Sequence, residues 1–226
     1  MAIIQEDDPR ITLGHDRLDR YWSAIGPSDP DRISYIINPM YSGKPAWPSS
    51  RQAYRVVRPP CSLIIATDGL SDPFVGTDIE DAQGFGCEVY IEAPELADAD
   101  FDAISSSWAF AVIETFAMNV ANWGGISSQI ELHDVLSTEI QMRDVLPEGC
   151  LASDGAAGFL VNLTPPGRHP QILDMPFGPV DIVALTLVSP AELEMMRAGG
   201  VPARDQLARA RQLDGGHMSR LSPAAE

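Results

Sequence analysis

The chain has 226 residues, 45% of them hydrophobic and 21% charged, enough apolar chain for one sizeable core. Its formal net charge of -17 excludes nucleic acid and anionic membrane as natural partners and favours a basic protein. Cys61, Cys87 and Cys150 are widely spaced and form neither a CxxC pair nor a disulfide framework, so they are expected to be reduced, mostly buried thiols in a cytoplasmic protein.

Residues 1–14 read as an N-terminal extension, without the basic and apolar regions of a secretory signal. Over 15–25, Leu18, Tyr21, Trp22 and Ile25 fall at helical spacing. Seven prolines between 26 and 60 rule out a long helix there. The segment is expected to wrap the domain, anchored by Tyr35, Ile36, Ile37, Tyr41 and Trp47. Tyr54–Arg58 and Cys61–Thr67 predict two strands; the second, CSLIIAT, is apolar throughout and suits a central position. A Gly- and Asp-rich loop follows, from 68 to 83. Gly86–Ala93 alternates, with Cys87, Val89 and Ile91 on one face and Glu88, Tyr90 and Glu92 on the other.

The main helix is expected over 104–123, capped by Ser105–Ser107 and ended by Gly124-Gly125; it is apolar nearly all round. Its apolar run is too short to span a membrane and carries Glu114 and Asn119. Residues 126–131 and 141–145 are ambiguous, whereas Phe159–Leu163 and Val180–Val188 read as strands. Ser189, Pro190 and Glu192 form a capping box that opens a helix, and a short helix follows over 203–212. Residues 216–226 are expected to be a flexible tail. The order of elements predicts a single α/β domain over 15–215, of mixed α+β character, with one central mixed sheet and packed helices.

Charge is distributed unevenly. Between Arg58 and Arg143 there is no lysine or arginine, yet there are fifteen Asp and Glu residues. On charge alone, such a segment serves solubility more often than recognition.

Catalytic signals are weak. The four histidines are isolated from one another and from the cysteines, so no metal-ligand spacing exists and no metal or other cofactor is expected. GxSxG, HExxH and Walker signatures are absent. His133 lies between Glu131 and Asp134 and is the one candidate carboxylate–histidine pair, though such a residue is more often structural.

Several stretches together resemble the SUFU domain of the Suppressor of fused family. They are Gly69-Leu70-Ser71-Asp72 after an apolar strand and Gly84-Phe85-Gly86-Cys-Glu88 leading an alternating one. The long apolar helix follows, then Asp174-Met-Pro176-Phe177-Gly178 before strand 180–188, then Glu192-Leu-Glu. The chain departs from the family pattern at Cys87, where Phe is usual, and in CSLIIAT, which lacks the family's aromatics. The resemblance implies a SUFU fold and a non-enzymatic, protein-binding role, in bacteria that of an immunity protein of a polymorphic toxin system. The animal protein's second domain has no counterpart here, so its signalling role is not carried over.

The resemblance also implies a contact loop between the first two motifs. Phe74 falls at its aromatic position and Glu80 or Asp81 near its acidic one, while packing of Phe74 on the core is an equal alternative. The expected partner-facing residues are therefore Asp72, Phe74, Asp78, Glu80 and Asp81, with Glu95, Asp98 and Asp100 as a charged rim. The expected partner is a basic toxin domain. An adaptor that adds a peptide strand at an open edge near Phe74 is the alternative. Gly69, Gly84 and Gly86 are expected to serve backbone geometry.

Overall fold

The computed structural model describes residues 3–78, 82–213 and 216–221. Helix α1 (Pro9–Ser23) starts ahead of the expected position because Asp8 caps it, its carboxylate accepting from Arg10 N at 2.9 Å, with Pro9 in the first turn. Then come β1 (Ile33–Ser34), β2 (Ala53–Val57), β3 (Leu63–Asp68) and β4 (Cys87–Ala93). Helices α2 (Phe101–Ser105), α3 (Trp108–Trp123) and α4 (Ser127–His133) follow. The chain continues with β5 (Leu136–Gln141), β6 (Ala156–Val161), β7 (Gln171–Ile172), β8 (Val180–Leu187) and α5 (Pro190–Leu213).

The strands form one mixed sheet in the order β1-β2-β3-β4-β8-β6-β5, with β7 beside the start of β8. Only β4–β8 is parallel among these pairs, with Val89 opposite Val183. Both faces are covered, and the two-residue period of the strands sorts side chains between them. Leu63, Ile65, Val89, Ile91, Val183 and Leu185 pack under α3 through Val112, Ile113, Phe116 and Val120. Ile64, Ala66, Tyr90, Ile182 and Ala184 face the other way, toward Leu18 and Trp22 of α1. Leu160 of β6 meets Leu193, Met196 and Leu207 of α5. Cys87 and Cys150 are buried, but Cys61 is exposed.

Several local expectations change. Of the five proposed anchors, Trp47 is buried and Tyr35 half-buried, whereas Ile36, Ile37 and Tyr41 stand in solvent. The segment is held instead by β1 and β2 and by Asn38, whose side chain caps a short 3-10 turn at Pro39–Ser42. The main helix splits, because Ser107 Oγ accepts from Phe110 N at 3.1 Å and starts α3 afresh after α2. Only one face of α3 is fully buried. Glu114 accepts from the Tyr35 hydroxyl, not from a local partner. Of the ambiguous residues 126–131, all but Ile126 fall in α4; of 141–145, Gln141 ends β5, whose other residues were read as no element. The Ser189–Glu192 capping box forms, and Gly200, at φ 60 and ψ -144, breaks α5 into two helical pieces.

The termini are tied in. Ile4 is buried and its N donates to Thr77 O at 3.0 Å. Ser219, also buried, donates from N to Glu92 O at 2.8 Å, and its hydroxyl accepts from Leu187 N at 2.9 Å. Residues 3–14 and 216–221 thus have contacts with the domain; the rest of the expected extension and tail, 1–2 and 222–226, lies outside the described residues. Among the described residues no helix is long and apolar enough to cross a membrane.

Candidate functional site

The three motif loops meet at one end of the sheet. The turn Gly69–Asp72 folds back over β4 so that Gly69 N (3.1 Å), Ser71 N (3.0 Å) and Ser71 Oγ (2.7 Å) all donate to Glu88 Oε1. Thr67 Oγ1 donates to the other oxygen of Glu88. The second loop joins the first through Phe85 N donating to Leu70 O at 2.9 Å. The third is held by Gln83 Nε2 donating to Pro179 O at 2.9 Å and by Asp181 N donating to Gly86 O at 2.9 Å. Leu70 points into the core. Phe177 lies under the Arg10 guanidinium, 5.1 Å from it, beside Pro176.

Close backbone approach explains two of the glycines. A Cβ on Gly84 would sit 2.0 Å from Asp72 O, and one on Gly69 would sit 2.0 Å from Arg51 O. Both obstacles are backbone carbonyls, which can move only if the chain around them moves. Gly84→Ala is expected to cost about 1–3 kcal/mol or more, read as a lowered urea midpoint. Gly149→Ala, with open space around the new methyl, should leave the midpoint nearly unchanged.

Beside Glu88 lies a buried ion cluster. Arg51 bridges Asp68 (Nη1–Oδ1, 3.0 Å) and Asp72 (Nη2–Oδ1, 2.9 Å; Nε–Oδ2, 3.0 Å). Arg55, 1% exposed, donates to Asp68 at 2.9 Å and to Asp19 at 2.8 Å, and Arg32 donates to Asp68 at 3.0 Å. Ser49 Oγ donates to Asp72 at 2.7 Å, and His15 Nε2 lies 3.1 Å from it. Burial alone would raise the Asp72 carboxyl; the His15 hydrogen bond and Arg51 reverse this and hold it at about 2. Asp68 is likewise lowered, its arginines outweighing burial. Glu88 accepts from neutral donors and is in no ion pair among the described residues, so burial and the nearby Asp68 charge raise its pKa.

Glu92, on the same strand face as Glu88, is a second buried acid. Ser62 Oγ donates to it at 2.6 Å, Arg168 pairs with it at 2.6 Å, and His217 Nε2 is 3.4 Å away. Burial is again overcome, by His217 and Arg168, leaving Glu92 at about 2.

No protein-family model matches the chain, and no curated protein matches it. The solved structures do provide a likeness: a chain of "the Sufu-Fu complex crystal structure" superposes with a TM-score of 0.58 at 16% identity, over 96% of this chain and 91% of that one. The fold is Sufu-like. It is the mixed α/β architecture, with one mixed sheet between helices, that the motifs implied.

Within the Sufu-like fold the acid-rich segment divides in two. Asp68, Asp72, Glu88 and Glu92, four of its fifteen acids, are buried, and three of these four pair with arginines from outside the segment. Asp72, expected to face a partner, is instead part of the interior, because Arg51, Ser49 and His15 saturate it. Phe74 is half-buried with its ring against Phe85 at 5.7 Å, and its N donates to Ala82 O at 2.8 Å, so it closes its loop onto the core. Asp78, also half-buried, bridges to Ile3. Glu80 and Asp81 lie outside the described residues.

The rim acids are different. Glu95, Asp98, Asp100 and Asp102 are exposed on the turn leading into α2. Asp100 caps α2 through Ala103 N at 2.9 Å, and Glu95 accepts from Leu221 N at 2.7 Å. None of the four has an ion-pair partner among the described residues. His133 is exposed at the end of α4. Two residues apart on a helix, it and Glu131 point to different sides, and no hydrogen bond joins His133 to either neighbouring acid among the described residues. Among the described residues no three His, Cys, Asp or Glu side chains are grouped to hold a metal ion.

Proposed function

We propose that this chain is a non-catalytic protein-binding domain, and that it serves in the cytoplasm as an immunity protein against a toxin of a bacterial polymorphic toxin system. The carrying observation is the exposed ridge of Glu95, Asp98, Asp100 and Asp102, none of which is in an ion pair among the described residues. Arg51 and Arg55 are committed to buried acids, and Arg58, which donates to Ala97 O and Ala99 O at the base of the ridge, is paired with Asp29 at 2.8 Å. A one-signed ridge of this kind speeds encounter with a basic surface and repels acidic competitors. The Sufu-like fold supports the reading, since its structural neighbour is a chain of a protein–protein complex. Asp78, Glu80 and Asp81, on the loop between β3 and β4, are proposed as further contacts in this reading.

Co-expression with the toxin encoded next to this gene tests it. Wild-type protein should restore growth. Asp98→Lys with Asp102→Lys should slow association by at least tenfold at low salt while thermal unfolding stays unchanged. Killing that proceeds in full beside soluble wild-type protein would sink the proposal.

A second reading, an adaptor that captures a linear peptide, is favoured by one observation. Strand β5 pairs only with β6, and its outer edge is unpaired among the described residues. Strand addition would take place there and not near Phe74, whose loop joins two strands in the interior of the sheet.

A further inference from the structure

Opposite in sign to the acidic ridge, a groove of about 420 Å³ runs between α1 and the 167–174 segment that carries β7. Arg17, Arg20 and Arg168 reach into it, in a chain that has only fifteen lysines and arginines against thirty-two acids. Arg17 and Arg20 are three residues apart and Tyr21 and Ala24 continue the same helix face, so the two guanidiniums stand over one line of the groove. The opposite wall is tied to this helix by Tyr21 Oη donating to His169 O at 2.7 Å.

The three arginines are not equivalent. Arg168 is rigid: it pairs with buried Glu92 at 2.6 Å and lies over the Tyr90 ring at 5.9 Å, so its charge is largely answered from within. Arg17 meets only Asp174, at 3.3 Å, and that carboxylate is 70% exposed, a weak pair. Arg20 has no ion-pair or side-chain hydrogen-bond partner among the described residues. Two planar forks with open donor positions therefore face the groove. Between them the surface is apolar, supplied by Ala24, Ile25, Ile172 and Leu173. The volume is in the range of small-molecule sites, and a mostly apolar wall with a few charged groups is their usual composition. Acids on other faces of the molecule are screened beyond roughly 8 Å at physiological salt, so the net charge of the chain does not govern the groove.

We propose that this groove binds a small amphipathic organic anion, with a phosphate or carboxylate head held by Arg17 and Arg20 and an apolar body laid against Ile25, Ile172 and Leu173. The site is independent of the protein-binding reading and stands or falls separately from it.

Calorimetric titration of the full chain with 1-naphthyl phosphate, 1-naphthoate and neutral 1-naphthol tests it. One or both anions should bind at least tenfold more tightly than naphthol. Arg17→Gln with Arg20→Gln should bring the anions to the naphthol level at an unchanged unfolding temperature. Leu173→Asp, on an exposed side chain, should weaken all three probes and serves if the double variant is unstable. Tighter binding of the phosphate identifies a phosphate ester as the natural class, and tighter binding of the naphthoate a carboxylate. Three results would each overturn the proposal: no binding at millimolar concentration, naphthol binding as tightly as the anions, or the substitutions leaving anion affinity intact.

Discussion

Glu88→Ala is expected to destabilise the domain by about 3–5 kcal/mol, a large part of the roughly 5–15 kcal/mol that holds a domain together. The side chain is fully buried and accepts from two backbone N–H groups, Gly69 and Ser71, and from the hydroxyls of Ser71 and Thr67. Alanine would leave these donors in a dry interior with no partner, and each backbone donor so stranded costs about 1–3 kcal/mol. Water cannot readily replace the acceptor, because the site lies between strand β3 and its own return turn. Glu88→Gln is the informative control. Its amide oxygen keeps the three Oε1 contacts and its size is unchanged, so about 1 kcal/mol or less should be lost. Urea midpoints of the three proteins check this. A midpoint for alanine equal to that of glutamine would show that the carboxylate does not organise the turn.

The second large effect is expected at Arg51. Arg51→Met keeps much of the apolar stem but removes the guanidinium that bridges Asp68 and Asp72. Asp68 keeps Arg55 and Arg32, but Asp72 is left with only Ser49 and His15, so the loss is expected near the lower end of the roughly 3–5 kcal/mol that stripping a partner from a buried carboxylate costs near neutral pH. The size of the loss should depend on pH. Asp68 and Asp72 have folded pKa values below the ordinary aspartate value of 3.8, with Asp72 at about 2. The pairing of Asp72 therefore contributes in full above about 3.8 and is lost as the pH falls through about 2, and that of Asp68 is likewise lost on acidification. The gap between wild type and Arg51→Met should be widest at neutral pH and close between pH 4 and 2. Glu88 acts in the opposite sense: its raised pKa means the folded state holds a proton more tightly than the unfolded chain, so its contribution falls as the pH rises. Thermal unfolding of both proteins across pH 2–7 would reveal the pattern, and a gap independent of pH would contradict it.

The parts of the fold that were legible in the sequence are those where local pattern and burial agree. CSLIIAT and the 180–188 run are apolar because they lie inside the sheet, and the Ser189–Glu192 box encodes its own geometry. Strand β5 was not legible. LSTEIQ is an edge strand with only Ile140 fully buried, so nothing apolar enough marks it. Ile36, Ile37 and Tyr41 misled in the other direction, since size and apolarity favour burial without enforcing it.

The ion cluster was illegible for a different reason. Arg51, Asp72 and His15 are brought together by the fold across 21 and 57 positions, and no window of sequence contains them. One signal was available in Glu88 and Glu92. Acids alternating with apolar residues in a strand followed by a helix can mean a wet face, but a three-layer fold has none to offer at its centre. A cation-free segment whose strand must be covered on both sides has to receive its counter-charges from elsewhere in the chain.

The parallel pairing of β4 with β8 sets an order of assembly. Strands β2, β3 and β4 are consecutive in the chain and pair antiparallel, so they can form a meander among themselves. The far edge of β4 has no partner until Asp181–Ala184 arrive, and they are encoded beyond the three helices and three further strands. At ordinary rates of synthesis that interval is on the order of ten seconds. Throughout it, Cys87, Val89 and Ile91 belong to an open apolar ribbon, and long-range pairings of this kind are the slow ones. The nascent chain therefore passes through a state in which its eventual centre is its most adhesive edge, and closure waits on the last strand to be made.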